Sequence, residues 1–195
     1  MMRSAALRFT VATVAIMAFM GFASGAMALT VSPSGFVTAT SINPSFGLPS
    51  IGAAFTCSTS SMSQIVMNAD GTGSLAAAGL TFSGCRYSNA SFTISQNSAF
   101  SISTVLLPSP VGVLLVFTVP ARGLRFDSPF CGSFTVSGAI GARALGGLPL
   151  TTSTIAVALS TLRLDSGAGI CAPFVGLSLT FTGMFSLNHS LTFSG

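Results

Sequence analysis

Between Leu29 and Gly195 few side chains could do acid–base, nucleophilic or metal chemistry. They are Asp70, Asp127, Asp165, His189, five arginines (Arg86, Arg122, Arg125, Arg143, Arg163) and four cysteines (Cys57, Cys85, Cys131, Cys171), with no Lys and no Glu. A hydrolytic triad needs a nucleophile, a base and an orienting acid. Serines abound, but His189 is the single histidine and stands in the turn-like Asn188-His189-Ser190. No G-x-S-x-G elbow occurs in this part of the chain, so His189 reads as a loop histidine open to solvent.

The carboxylates read the same way. Asp70-Gly71, Asp127-Ser128-Pro129 and Asp165-Ser166-Gly167 are turn contexts, where an Asp side chain bonds nearby backbone amides. A glycosidase dyad would need two of them brought together in space, and no spacing suggests it. Asn68-x-Asp70-Gly71 has part of an acidic calcium loop without the rest of the pattern. Arg122 and Arg125, close to Asp127 in sequence, suggest a structural ion pair. No catalytic residue, cofactor-binding residue or metal ligand is assigned, and the chain does not read as an enzyme.

The cysteines read as disulfides, since an even number in an exported chain forms a covalent framework. Four cysteines allow three pairings. Cys57 with Cys85 and Cys131 with Cys171 is favoured, because sequential pairs close the shorter loops. Each bridge would contribute roughly 3–4 kcal/mol on the loop-entropy estimate. No two cysteines are close enough in sequence for a zinc knuckle.

Export itself is written in the first residues. Arg3 and Arg8 precede an apolar run from Phe9 to Phe22, and Ala26-Met27-Ala28 supplies a small-x-small cleavage site. These are the parts of a signal peptide in their usual order, so residues 1–28 are expected to leave and Leu29–Gly195 to form one secreted domain. No later run reaches the roughly 20 residues of a spanning helix. After cleavage five arginines face three aspartates, a net charge of +2, too sparse for a phosphate-binding surface. Nucleic acid is not an expected partner, nor is any cofactor.

The elements that position these residues are short strands. Without Lys and Glu, common on helix surfaces, and with many Ser, Thr, Val and Phe, the composition favours β-structure. Alternating runs include Gly35–Ile42, Leu80–Cys85, Ser133–Ile140 and Ile155–Leu164. In the closing stretch Leu177, Leu179, Phe181, Phe185 and Leu187 share one parity and Ser178, Thr180, Thr182 and Ser186 the other, with Met184 breaking the polar side. Residues 68–73 read as a hairpin loop. The pattern predicts an all-β domain, an antiparallel sandwich or partly closed barrel of about ten strands. Val111–Phe117, fenced by Pro110 and Pro120, does not alternate. It predicts either a strand covered on both faces or an apolar surface meeting lipid, hydrocarbon or another copy.

Three stretches resemble secreted bacterial proteins of the PraB type, the protein activators of alkane oxidation. They are Val31-Ser32-Pro33-Ser34-Gly35-Phe36-Val37-Thr38-Ala39-Thr40; then Phe55-Thr56-Cys57-Ser58 with residues 68–75 and Leu80-Thr81-Phe82-Ser83-Gly84-Cys85; and, more loosely, Cys131-Gly132-Ser133-Phe134-Thr135-Val136 with Ile170-Cys171. The resemblance implies an extracellular or surface-attached protein linked to growth on hydrophobic substrates, surface attachment or biofilm. It carries no catalytic residues.

The leading expectation is a non-catalytic exported protein acting by binding or assembly, in adhesion, in a biofilm matrix or at a hydrophobic phase. With few charges to guard strand edges, polymerisation through those edges is one specific form. A small outer-membrane β-barrel fits the length but lacks aromatic girdles. A secreted carbohydrate-binding module would have to manage without Trp and with Tyr87 as its only tyrosine.

Overall fold

The computed structural model describes residues 29–195 except 109–110, 130–131 and 168, and leaves out the side chains of 169–171. The signal assigned to residues 1–28 lies outside the described residues. So do Cys131 and the side chain of Cys171, and with them the second expected disulfide.

Sixteen strand segments join end to end into the eight staves of a closed antiparallel barrel. The first stave comprises Thr30–Ser32, Gly35–Ile42 and Ser45–Leu48; the second Ala53–Thr56 and Thr59–Met67; the third Gly73–Leu75, Leu80–Ser83 and Arg86–Tyr87. The fourth comprises Ala90–Ser91, Thr93–Gln96 and Phe100–Pro108; the fifth is Val111–Ser128 and the sixth Gly132–Leu145. Leu150–Ser160 with Leu162–Gly167 makes the seventh, and Ser178–Ser194 the eighth. Each stave pairs with its predecessor in sequence, and the eighth returns to the first, Val31 opposite Phe193, Thr40 opposite Ser186 and Phe46 opposite Phe181. The architecture is an up-and-down barrel, not a sandwich and not partly open. Closure gives every stave a neighbour on each side over part of its length, while among the described residues 103–108 of the fourth stave pair with the fifth stave alone.

The strand count differs from the expectation because local breakers interrupt pairing without reversing the chain. Asn188-His189-Ser190 does not reverse the chain: Ser178–Ser194 continues past it, with a bulge where the register against the seventh stave shifts between Thr152 and Thr154. Pro120 does not end its strand either. Val111–Ser128 continues while residues 120–123 bulge from the wall, where the register shifts between Val119 and Leu124. The bulge is tied on both sides, for Asn97 Nδ2 donates to the Arg122 carbonyl at 3.1 Å and the Arg122 N–H donates to Asp165 Oδ2 at 2.9 Å. The loop at 68–72 is the expected hairpin turn, with the Asn68 N–H donating to the Thr72 carbonyl.

Alternation sets the core. Leu179, Phe181, Phe185, Leu191 and Phe193 of the eighth stave point inward and are fully buried. Phe46 sits at the centre of the ring cluster, 4.5 Å from Phe181, 5.2 Å from Phe126 and 5.4 Å from Phe82 between centroids. Edge-to-face and offset pairs of this kind add about 0.5–1.5 kcal/mol each beyond the burial of area. The lumen is thus packed with phenylalanine. Cys57 and Cys85 form the expected disulfide, joining the second and third staves, with both residues buried.

The weakest seam lies between the third and fourth staves. Thr81 pairs with Ser95, the next pair is Leu75 with Phe100, and the residues between have lost their ladder. Gln96 fills that gap. Its Oε1 accepts from the Leu80 N–H and its Nε2 donates to the Ser98 carbonyl, both at 2.7 Å.

Candidate functional site

The titratable residues singled out in the sequence are dispersed, and each carboxylate is committed to local structure. Asp70 accepts from the Thr72 hydroxyl and amide, the Asx turn expected there, and these bonds lower its pKa. Asp127 takes Arg125 through Nε and Nη2 at 2.8–3.0 Å and the Ser133 hydroxyl at 2.5 Å. The guanidinium first, and Ser133 after it, hold the Asp127 carboxyl below its usual range, and the same contact raises Arg125. The ion pair expected beside Asp127 therefore uses Arg125, not Arg122. Asp165 accepts from Ser137 and from the Arg122 amide.

His189 is half-buried inside the last stave and makes no hydrogen bond to a described residue. It is therefore not the exposed loop histidine expected. Among the described residues no three of His, Cys, Asp and Glu converge as a metal site would require. Two Asn-x-Ser sequences, Asn89-Ala90-Ser91 and Asn188-His189-Ser190, match the glycosylation pattern. Asn188 uses Oδ1 to accept from the Thr38 N–H, while Asn89 is exposed between Arg86–Tyr87 and Ala90–Ser91. A shallow recess of about 240 Å³ lies over the thin seam, with Leu80, Ile94 and Gln96 among its walls.

What the barrel does present is its outer wall, and the wall has two sides. One is a hydroxyl path that follows direct cross-strand pairing: Thr154, Ser186, Thr40, Ser61, Thr81, Ser95, then Arg125, Thr135 and Ser166. It re-enters the seventh stave at Ser166, twelve positions beyond its start at Thr154, the stagger that closing a tilted sheet requires. Hydroxyls along and beside it bond to each other, Ser61 with Thr81 and Thr135 with Ser166 at 2.7 Å and Thr151 with Thr192 at 2.9 Å.

The other side is apolar. Val105 of the fourth stave faces Leu114, Leu114 faces Arg143, Arg143 faces Ala156, and Ala156 faces Met184, a single row across five staves. The flanking rows are Ser103, Val116, Gly141 and Leu159 on one side and Leu107, Gly112 and Leu145 on the other. Leu114, Arg143, Ala156 and Met184 point outward because their neighbours in sequence point inward: Val113, Leu115, Ala142, Ala144, Ile155, Val157 and Phe185 are all core. Leu159 joins them through the register shift between Gly141 and Ala142, whereas Leu107 is buried.

The run from Val111 to Phe117 is therefore neither of the extremes. Val113, Leu115 and Phe117 fill the lumen, whereas Leu114 and Val116 belong to the wall. On this wall exposure is large for Leu145 (60%) and Met184 (58%), while Val111 is exposed at the rim on the lumen side of its strand. Two glycines let the leucines lie flat. A Cβ at Gly141 would come within 3.1 Å of both Leu114 and Leu159, and one at Gly112 within 2.4 Å of the Ala144 carbonyl and 3.3 Å of Leu145 Cδ2.

The sequence singled out the start of this surface in Leu114 and Val116, and marked Met184 as an irregularity. In the sequence Arg143 counts only among the ionisable groups, and the alternation of Ile155, Val157 and Leu159 puts Leu159 on the apolar side of its strand. The register shift between Gly141 and Ala142 turns Leu159 outward instead, and only the register brings it, Arg143 and Leu145 beside Leu114. No protein-family model, curated protein or solved structure matches the chain.

Proposed function

We propose that this protein works outside the cytoplasm as a non-catalytic contact protein whose barrel wall binds hydrophobic surfaces. The observation that carries the reading is the apolar row from Val105 to Met184, with Leu145 and Leu159 beside it left open to water. Large exposed apolar patches mark sites of contact. The lumen, filled by Phe46 and its ring partners, leaves the outside as the working surface, and the committed aspartates favour binding over turnover. Export, and a role in attachment or growth on hydrophobic substrates, follow the resemblance to PraB-type proteins and belong to the same proposal.

The orientation of the wall weighs against an outer-membrane barrel. Such a barrel needs an apolar band all the way round, whereas Thr40, Ser61, Thr81 and Ser95 turn hydroxyls outward on the far side. A sugar-binding module is also less well supported, since the exposed aromatics Phe36 and Tyr87 lie near opposite ends of the barrel and form no shared platform.

The test is adsorption of oxidised Leu29–Gly195 to hexadecane droplets. Wild type is expected to coat the droplets, and a Leu145→Asn/Met184→Asn double variant to lose most of that coating with its thermal unfolding unchanged. Wild type staying wholly in the aqueous phase overturns the proposal.

A further inference from the structure

Arg143 stands in the middle of the apolar row, with Leu114 on one side and Ala156 on the other. Its Nε is buried and unpaired, and the guanidinium forms no ion pair with a described residue. The other charged groups have settled otherwise. Asp127 is held by Arg125 and Ser133, Asp165 by Ser137 and the Arg122 amide, and Asp70 by Thr72. A cationic group half-withdrawn from water without an acceptor is unfavourable by itself, and it becomes favourable when an anion completes it.

We infer that this wall docks on a lipid layer carrying anionic headgroups. The exposed Leu145, Leu159 and Met184 enter the headgroup–acyl boundary, and Arg143 takes a headgroup phosphate oxygen. The inference rests on the reading of the wall as a contact surface and adds the charge of what it meets. Arginine suits the position, because its aliphatic stem lies along apolar neighbours while its head reaches a polar layer. A fluid layer also suits the shape. The wall is the convex outside of a barrel, and a single small ligand needs a concavity to bury it.

A second copy of the chain fits less well. A two-fold contact about the centre of this row would set Arg143 against Arg143 of the other copy, and a head-to-tail contact finds no uncommitted aspartate to offer.

One cation at an anionic membrane surface is worth about a fivefold change in partitioning. The experiment is flotation of oxidised Leu29–Gly195 with vesicles of phosphatidylcholine alone and with vesicles in which phosphatidylglycerol replaces a third of it, at low salt, beside hexadecane droplets. Wild type is expected to bind the anionic vesicles about fivefold more strongly than the neutral ones. Arg143→Gln should erase that preference while still coating droplets, and Arg143→Lys should keep it.

If wild type shows no preference, or Arg143→Gln retains it, the inference falls while the contact reading stands on the droplets. If neither vesicles nor droplets are bound, both fall. A dimer on sizing that dissociates in the Leu145→Asn/Met184→Asn variant would assign the wall to a second copy and overturn the lipid assignment.

Discussion

Replacing Gln96 with leucine tests what holds the barrel shut. The side chain is almost fully buried and bridges the gap where the third and fourth staves lose their ladder, Oε1 accepting from Leu80 and Nε2 donating to Ser98, both at 2.7 Å. Leucine has similar bulk and no polar atoms, so the packing survives and two backbone groups lose their partners. The orphaned Leu80 N–H, buried at the seam, costs about 1–3 kcal/mol, and the partly buried Ser98 carbonyl about 1 kcal/mol more. Added apolar burial offsets about 1 kcal/mol of this, leaving a net loss of about 1–3 kcal/mol. With a urea slope near 2 kcal/mol per molar, the midpoint should fall by roughly 0.5–1.5 M without a change in slope.

Equilibrium urea unfolding measures the total, and amide hydrogen exchange locates it. The Leu80 amide should lose protection more than the amides of the fifth and sixth staves, because the seam opens first. Ser95→Ala, on the outer wall one residue away, should stay within about 0.5 kcal/mol of wild type. A midpoint shift below about 0.3 M, with Leu80 still protected, would show that the seam is held by something other than this amide.

Two further predictions concern charge and covalent structure. Asp127 has its folded pKa depressed by Arg125 and then Ser133, so its stabilisation is fully present above the ordinary Asp value of about 3.9 and is lost as pH falls through the lower folded value. Acid titration of stability should therefore decline below about pH 5 and be flatter in Asp127→Asn; identical curves for the two proteins would refute the coupling. Removing the Cys57–Cys85 bridge, which spans 28 residues, should lower stability by about 3–4 kcal/mol on the loop-entropy estimate. Denaturation of the oxidised wild type beside a Cys57→Ala/Cys85→Ala variant reads this bridge alone, and coincident transitions would mean it constrains nothing.

The legible part of the fold was the part written in period two. Gly35–Ile42 coincides with its strand, and Phe134, Val136 and Ile140 are core as their alternation required. The number of staves was not legible. Pro120 and Asn188-His189-Ser190 carry turn chemistry, yet pairing on both sides holds their strands in line, and the Pro120 bulge is absorbed by Asn97 and Asp165 from neighbouring staves. Those partners lie 25 and 43 residues away from Arg122, beyond any local pattern. The disulfide between Cys57 and Cys85 could be favoured from loop length, since consecutive staves bring near neighbours in sequence together.

The sequence by itself determined that the chain is built of strands with one apolar and one hydroxyl face, that Cys57 could reach Cys85, and that its ionisable groups are scarce. Alternation and composition act within a few residues, and they are readable there. Only the tertiary structure decided that the sheet closes, since closure depends on Ser178–Ser194 returning to the first stave. Register then placed Arg143 between Leu114 and Ala156, with no carboxylate paired to it. Which side chains share the outer wall is set by pairing across the whole chain, and no local property of Val105, Arg143 or Met184 foretells it.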